Sequence, residues 1–357
     1  MLDLPVVWAE ECLAHVPGAE IWVGVRTPGT EVPDRATVLR EATVAAGGRL
    51  VAAVPHSDET LLSVHDRAFV THLSTVYAAW TDAGFPADIG QDRVVPYVFP
   101  TGAMLDGMPA REPTAIHGRA GLYCYDTMTL VGPGTWTAAR AAVDAALTAV
   151  DLVAAGERLA YAICRPPGHH ATRTGYGGSC YLNNAAVAVA ALRAAGVDRV
   201  AVVDVDAHHG NGTQAIFYDR ADVFYGSAHV DPGAGWFPHY LGFAAERGRD
   251  AGLGTNVNVP LAPGTGDPGW LDAVAAVCAA AADFGPDAVV LSLGVDAAAD
   301  DPESPLRVSA SGYARTGALV AELGVPVVAV HEGGYHLPTL GSLTVAALGG
   351  LSGVRVT

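Results

Sequence analysis

Residues 199–211 read RVAVVDVDAHHGN. The run from Val200 to Val203 is apolar and largely β-branched, and Asp204, Asp206 and His208 then follow at every second position. An apolar run of this length reads as a buried strand, and its carboxyl end carries the polar groups. In a strand, a spacing of two projects side chains from one face, so the two acids and the imidazole are predicted to point the same way. A carboxylate removed from water is costly unless it is paired or holds a metal, and two on one face compound that cost. An isolated D-x-D is also common as a solvated strand end or a helix cap, so the rest of the chain has to decide between these readings.

On either side of this stretch the same pattern recurs. Strand-like runs at 158–164, 223–229, 255–261, 287–296 and 325–332 alternate with helical segments at 183–195, 270–284, 311–323 and 340–351. An Ala-rich helix at 137–157, stopped by Gly156, leads into the series. Strands alternating with helices predict a parallel sheet covered on both faces. The expected fold is α/β, a single doubly wound domain over 1–357 with a mostly parallel central sheet, whose ligands bind beyond the carboxyl ends of the strands. The N-terminal third is expected to give a strand at 6–8 and helices at 35–46 and 67–83. Residues 100–121, rich in Gly and Pro, read as a long loop.

Composition narrows the function. With 357 residues, half of them hydrophobic, the chain can bury a large core. The first ten residues, MLDLPVVWAE, lack a basic leader region, and no apolar run approaches the roughly 20 residues of a membrane helix, so a cytoplasmic protein without membrane partners is expected. The excess of 37 acidic over 20 basic residues, a formal charge of -17, argues against nucleic acid as a partner and weakly favours cationic ones. Five cysteines with no C-x-x-C pair argue against a disulfide framework and a thiolate zinc site, so a metal here must use His and carboxylates.

Three further strand ends carry candidate chemistry. DAVVLSLGVD ends in Asp296, which supplies a third ligand beside Asp206 and His208. One His with two carboxylates and an open position is a catalytic zinc arrangement, not a structural one. A binuclear manganese site would want more acids, yet the residue two beyond Asp296 is Ala298, so a mononuclear site is expected. RLAYAIC runs into Arg165-Pro-Pro-Gly-His169-His170, a rigid turn that delivers two imidazoles suited to proton transfer. VPVVAVHEGGYH ends in Glu332-Gly-Gly-Tyr335, where the glycines let the backbone bend and set a phenol over the strand ends.

Taken together, RPPGHHA, CYLNNAAVA, VDVDAHHGNGTQAIFY, LSLGVD, DDP and EGGY resemble the zinc-dependent histone deacetylase superfamily, most closely its acetylpolyamine amidohydrolases and class II deacetylases. The resemblance covers 118–350 well and the N-terminal third loosely. It implies an arginase-like α/β fold, zinc on Asp206, His208 and Asp296, and a zinc-activated water attacking an acetyl amide. His170, backed by Asn211, would be the general base and then the general acid. His169, backed by Asp204, would stay more readily protonated and act electrostatically. Tyr335 would hydrogen-bond the developing oxyanion. A structural potassium ion near the backbone of Asp204, Asp206 and His208 and the Ser227 hydroxyl is also implied.

One departure concerns the substrate tunnel. Relatives carry Gly-Phe-Cys or Gly-Tyr-Cys along one wall, whereas this chain has Gly178-Ser179-Cys180 facing the retained Phe237. A wider tunnel is expected, unless a neighbouring aromatic such as Tyr176 fills the gap. The leading substrate is a small cationic acetylated amine such as an acetylpolyamine, with Glu112 and Asp126 as candidate partners for its distal ammonium. A protein lysine deacylase is the alternative, a non-catalytic acyl-amine binder a third reading, and a homodimer stays open.

Overall fold

In the computed structural model, which describes residues 1–353, eight strands form one sheet in which every neighbouring pair is parallel. They are β1 (Pro5–Trp8), β4 (Arg49–Ala52), β5 (Leu159–Ala162), β6 (Val200–Asp204), β7 (Val223–Val230), β8 (Asn256–Leu261), β9 (Ala288–Leu293) and β10 (Val327–His331). The two strands between β1 and β4, β2 (Glu20–Trp22) and β3 (Val25–Thr27), form a separate antiparallel hairpin. Across the sheet the order is β4-β1-β5-β10-β9-β6-β7-β8.

The pleat explains why the central strands are apolar throughout. Val200 and Val202 of β6, with Val328 and Val330 of β10, pack under the helices Thr135–Ala154 and Asn184–Ala194. Their alternates Ala201, Val203, Val327 and Ala329 pack into a second core shared with the helices Asp34–Ala45, Asp267–Phe284, Ala310–Ala321 and Leu337–Leu351. The central strands β6, β9 and β10 are buried on both sides, so their runs are apolar on both faces.

The strand order also fixes where a site can form. The chain leaves β6 for β7 on one side, and leaves β9 for β10 on the other, although β6 and β9 are neighbours with Asp204 opposite Ser292. Connections that diverge from adjacent strands open a crevice at their carboxyl ends. Asp206 and His208 follow β6, and Asp296 follows β9.

The expected α/β class and parallel sheet are observed, and the predicted strands and helices from 137 onward all form. Some readings need correction. β6 ends at Asp204 and β9 at Leu293. Asp206, His208 and Asp296 therefore sit in loops, and loop geometry, not the strand pleat, brings them together. Residues 100–121 are not one long loop: they contain the short helix Gly102–Leu105 and the start of the helix Ile116–Tyr123. β4 escaped the reading: its apolar run, Leu50 to Val54, is short and lies on an edge strand whose side chains are mostly exposed.

Candidate active site

Asp206 and Asp296 are 1 % and 0 % exposed, and each is held by backbone amides. Asp206 accepts from His208 N at 2.9 Å and Gly333 N at 2.7 Å, and Asp296 accepts from Ala207 N at 2.8 Å. The loop after β10 closes directly over the two acids. A Cβ at Gly333 would collide with the carboxylate oxygens of both, so only glycine permits the approach.

His208 completes the cluster. Its Nε2 lies 3.0 Å from the Glu303 carbonyl, which can only accept, so the proton sits on Nε2. Its Nδ1 lone pair then faces Asp296 Oδ2 at 3.1 Å and Asp206 Oδ1 at 3.3 Å. The ligand atoms of all three residues lie within 4.8 Å of one another. Three electron-pair donors converging in a buried place repel one another unless a cation or a proton lies between them. Burial and the nearby Asp206 charge push the Asp296 carboxyl up, and against its burial the two acids hold the His208 imidazole well above its ordinary value, so the cluster favours a bound positive charge. The donor set fits one divalent metal ion with a coordination position left over, and the imidazole is oriented by its second nitrogen as metal-bound His residues usually are.

The turn after β5 brings the two imidazoles beside this cluster, with ring centres 4.0 Å apart. Their partners differ. His169 Nδ1 lies 3.0 Å from Asp204 Oδ2, which also accepts from Tyr225 Oη at 3.1 Å. Burial alone would lower the His169 pKa, but Asp206 and Asp204 more than reverse this and bring it to about 10. His170 Nδ1 lies 2.7 Å from the neutral Asn211 Oδ1. Burial, then His169 and His208, hold its pKa well below the ordinary value. One ring is therefore an imidazolium, and the other is neutral with Nε2 free for the pocket.

Tyr335 lines the same pocket as His170 and lies under Arg35, whose guanidinium carbon is 4.6 Å from the ring centre. Burial keeps its phenol protonated well past neutral pH, so it serves as a hydrogen-bond donor. His170, His208 and Tyr335 form the floor of the pocket, and Gly178, Ser179, Phe237 and Met128 form its wall. Its rim is Glu20, Thr30 and Glu303.

Ser179 and Phe237 thus face the same space, as expected, but Tyr176 does not fill the gap. It is fully buried and stacks on Tyr181, 5.7 Å away. The aromatic beside Phe237 is Tyr125, nearly parallel to it at 16° with centroids 6.4 Å apart, and its hydroxyl donates to the His170 carbonyl at 2.8 Å. Gly177 makes room, since a Cβ there would run into the Tyr125 ring.

The two acids expected to meet a distal ammonium lie elsewhere. Glu112 is absent from the pocket and pairs at 3.1 Å with Arg119 of the helix Ile116–Tyr123, which begins just after it. Asp126 braces the wall instead: it accepts from Gly178 N at 2.6 Å and from Thr129 N at 2.8 Å. The acids that do reach the pocket, Glu20 and Glu303, were not read from the sequence. Glu20 sits on a strand of three residues, too short for any periodicity, while Glu303 follows the DDP motif and could have been suspected from it.

Residues 30–351 match the histone deacetylase domain. The chain is 40 % identical over 354 residues to an acetylpolyamine amidohydrolase of Mycoplana ramosa, covering 98 % of this chain and 99 % of that one. It is 41 % identical over 348 residues to acetylpolyamine amidohydrolase 1 of Pseudomonas aeruginosa, covering 97 % and 98 %. The crystal structure of an acetylpolyamine aminohydrolase from Burkholderia pseudomallei superposes with a TM-score of 0.92 at 37 % identity, over 99 % of this chain and all of that one.

Proposed function

The chain belongs to the histone deacetylase domain family, and on that premise we propose that it is a zinc-dependent amidohydrolase that deacetylates an acetylpolyamine or a similar small cationic amine. The observation that carries the reading is the meeting of three electron-pair donors, Asp206, His208 and Asp296, at a pocket floor also lined by His170 and Tyr335.

Zinc held by Asp206, His208 and Asp296 would supply a Lewis acid for the amide carbonyl and lower the pKa of a coordinated water towards about 7. His170, neutral and backed by Asn211, takes the proton from the attacking water and then gives it to the departing amine nitrogen. His169, held as an imidazolium by Asp204, stabilises the negative charge that builds beside it. Tyr335 donates to the oxyanion as the carbonyl becomes tetrahedral, a contact worth about 3 kcal/mol in other oxyanion holes.

The substrate reading rests on full-length similarity to proteins named for acetylpolyamines and on Glu20 and Glu303 at the pocket rim. These acids take the part first given to Glu112 and Asp126. The alternative, a protein lysine deacylase, has in its favour the small side chain of Ser179 on the pocket wall. The single catalytic domain over 1–357 is supported by β1 and β4 sharing one sheet with strands from the rest of the chain.

Three further parts of the proposal have narrower support. For the potassium ion, His229 donates from Nε2 to the Gly242 carbonyl and so accepts the Ser227 proton at Nδ1, which leaves the Ser227 oxygen lone pairs free. Exposed Trp22, Val23, Tyr97, Met104 and Met108 offer apolar surface for a homodimer. A cytoplasmic setting fits five free, buried cysteines, and no helix among the described residues is long and apolar enough to cross a membrane.

Steady-state kinetics on acetylputrescine, acetylspermidine and an acetyl-lysine peptide test the reading. Higher kcat/KM for the small amines is expected, and a clear peptide preference would install the alternative.

A further inference from the structure

The DDP motif, Asp300-Asp301-Pro302, has no part in the chemistry above. Asp301 is only 7 % exposed, and among the described residues no cation lies within ion-pair distance of its carboxylate. Three backbone amides satisfy it instead. Oδ2 accepts from Tyr335 N at 2.7 Å and His336 N at 3.1 Å, and Oδ1 accepts from Glu303 N at 3.0 Å.

These amides belong to two different loops. The Glu303 carbonyl is the group that orients His208, 3.0 Å from its Nε2. Tyr335 carries the phenol, and His336 caps the helix Leu337–Leu351, where a carboxylate is favourable for the exposed amides. From the opposite side Arg35 donates to the Glu332 and Gly334 carbonyls, each at 2.6 Å. The segment bearing Tyr335 is thus held by its carbonyls on one side and by its amides on the other.

We propose that Asp301 is a positioning residue that locks the metal ligand His208 and the phenol of Tyr335 into one frame. The inference rests on the functional reading above, in which His208 binds zinc and Tyr335 meets the oxyanion. A carboxylate is needed because both of its oxygens accept. Asparagine has the same shape but one acceptor oxygen, so its amide nitrogen must oppose an N–H on one side or the other. A misplacement of about 1 Å in such a site costs on the order of a hundredfold in rate, and loss of a group that orients a metal ligand costs roughly ten- to a hundredfold in metal affinity or activity.

The test uses Asp301→Asn and, beside it, Asp301→Ala, each alone and combined with Tyr335→Phe. Asp301→Asn should lower kcat at least tenfold with KM within about twofold, and lower zinc affinity roughly tenfold in competition with a chromogenic chelator. In the Tyr335→Phe background its kcat penalty should shrink, leaving only the share transmitted through His208. Zinc affinity should fall equally in both backgrounds. An undiminished kcat penalty beside Tyr335→Phe would show that Asp301 does not position the phenol and overturn the proposal of one shared frame. So would wild-type zinc affinity in both Asp301 variants, a result that holds even where every acetylated amine tested proves inert.

Discussion

The pocket floor and the pocket rim are built in opposite ways. The floor comes from loops that leave adjacent strands β5, β10, β9 and β6, so its residues are carried by the most buried part of the molecule. Asp204, Asp206, His169 and Asp296 are buried, and each makes hydrogen bonds that fix its orientation. The rim comes from the β2–β3 hairpin, outside the main sheet, and from Glu303 on the long loop after β9, with exposed Trp22 and Val23 near the hairpin tip. A floor of this kind can tolerate little change, whereas side chains on the hairpin can be altered without disturbing the chemistry. Rate should therefore be lost at the floor, and substrate preference should be changed at the rim.

The largest effect should come from removing a metal ligand. Asp206→Ala or Asp296→Ala should abolish activity and lose the metal together, since each leaves the remaining donors too few and one buried charge unpaired. Elemental analysis of the purified variants checks this, and a variant that keeps its zinc would remove that residue from the ligand set.

Next come the residues that act around the metal. Tyr335→Phe and His170→Ala should each cut turnover by roughly a hundredfold or more with zinc content unchanged. Unchanged turnover in Tyr335→Phe would end its oxyanion role.

The same contrast explains what could be read from the sequence. Asp206, His208, His169 and His170 lie in short motifs at the ends of apolar runs, so local pattern was enough to find them. Asp296 was legible because the parallel sheet puts strand ends on one edge. The strand pleat invoked for Asp206 and His208 was the wrong cause, since β6 has already ended at Asp204. The rim depends on contacts between segments far apart in the chain, which no local pattern encodes. Glu112 had the right charge in an apparently open loop, but the helix Ile116–Tyr123 supplies Arg119 to pair with it. Tyr125 could not be chosen over Tyr176 without knowing which of the two rings turns towards Phe237.

Smaller effects should test the rim. Burial, and then the Glu303 charge, push the Glu20 carboxyl up to about 7. A raised carboxyl is charged above that pH and neutral below it, so its attraction for a distal ammonium is present above about pH 7 and fades as the pH falls. KM for acetylputrescine should rise on acidification, and Glu20→Gln should raise it by roughly tenfold at pH 8, between the exposed and buried limits for an ion pair. An acetylated amine without any free ammonium should show neither change. If it responds equally, Glu20 does not read the substrate's charge.

The smallest effect concerns the wall. Restoring a ring with Ser179→Phe should return about 1 kcal/mol of apolar contact to a slim substrate, close to fivefold in KM, and should depress activity on branched or aromatic amines. An unchanged ranking of slim and bulky substrates would mean that Ser179 does not line the substrate's path.

The central claim is that one zinc ion per chain, held by Asp206, His208 and Asp296, drives the hydrolysis. Titrating metal-free protein with zinc while measuring acetate release from acetylputrescine tests it most directly. Activity should rise linearly and break sharply at one equivalent per chain. A break at two equivalents, or full activity before any zinc is added, would contradict it.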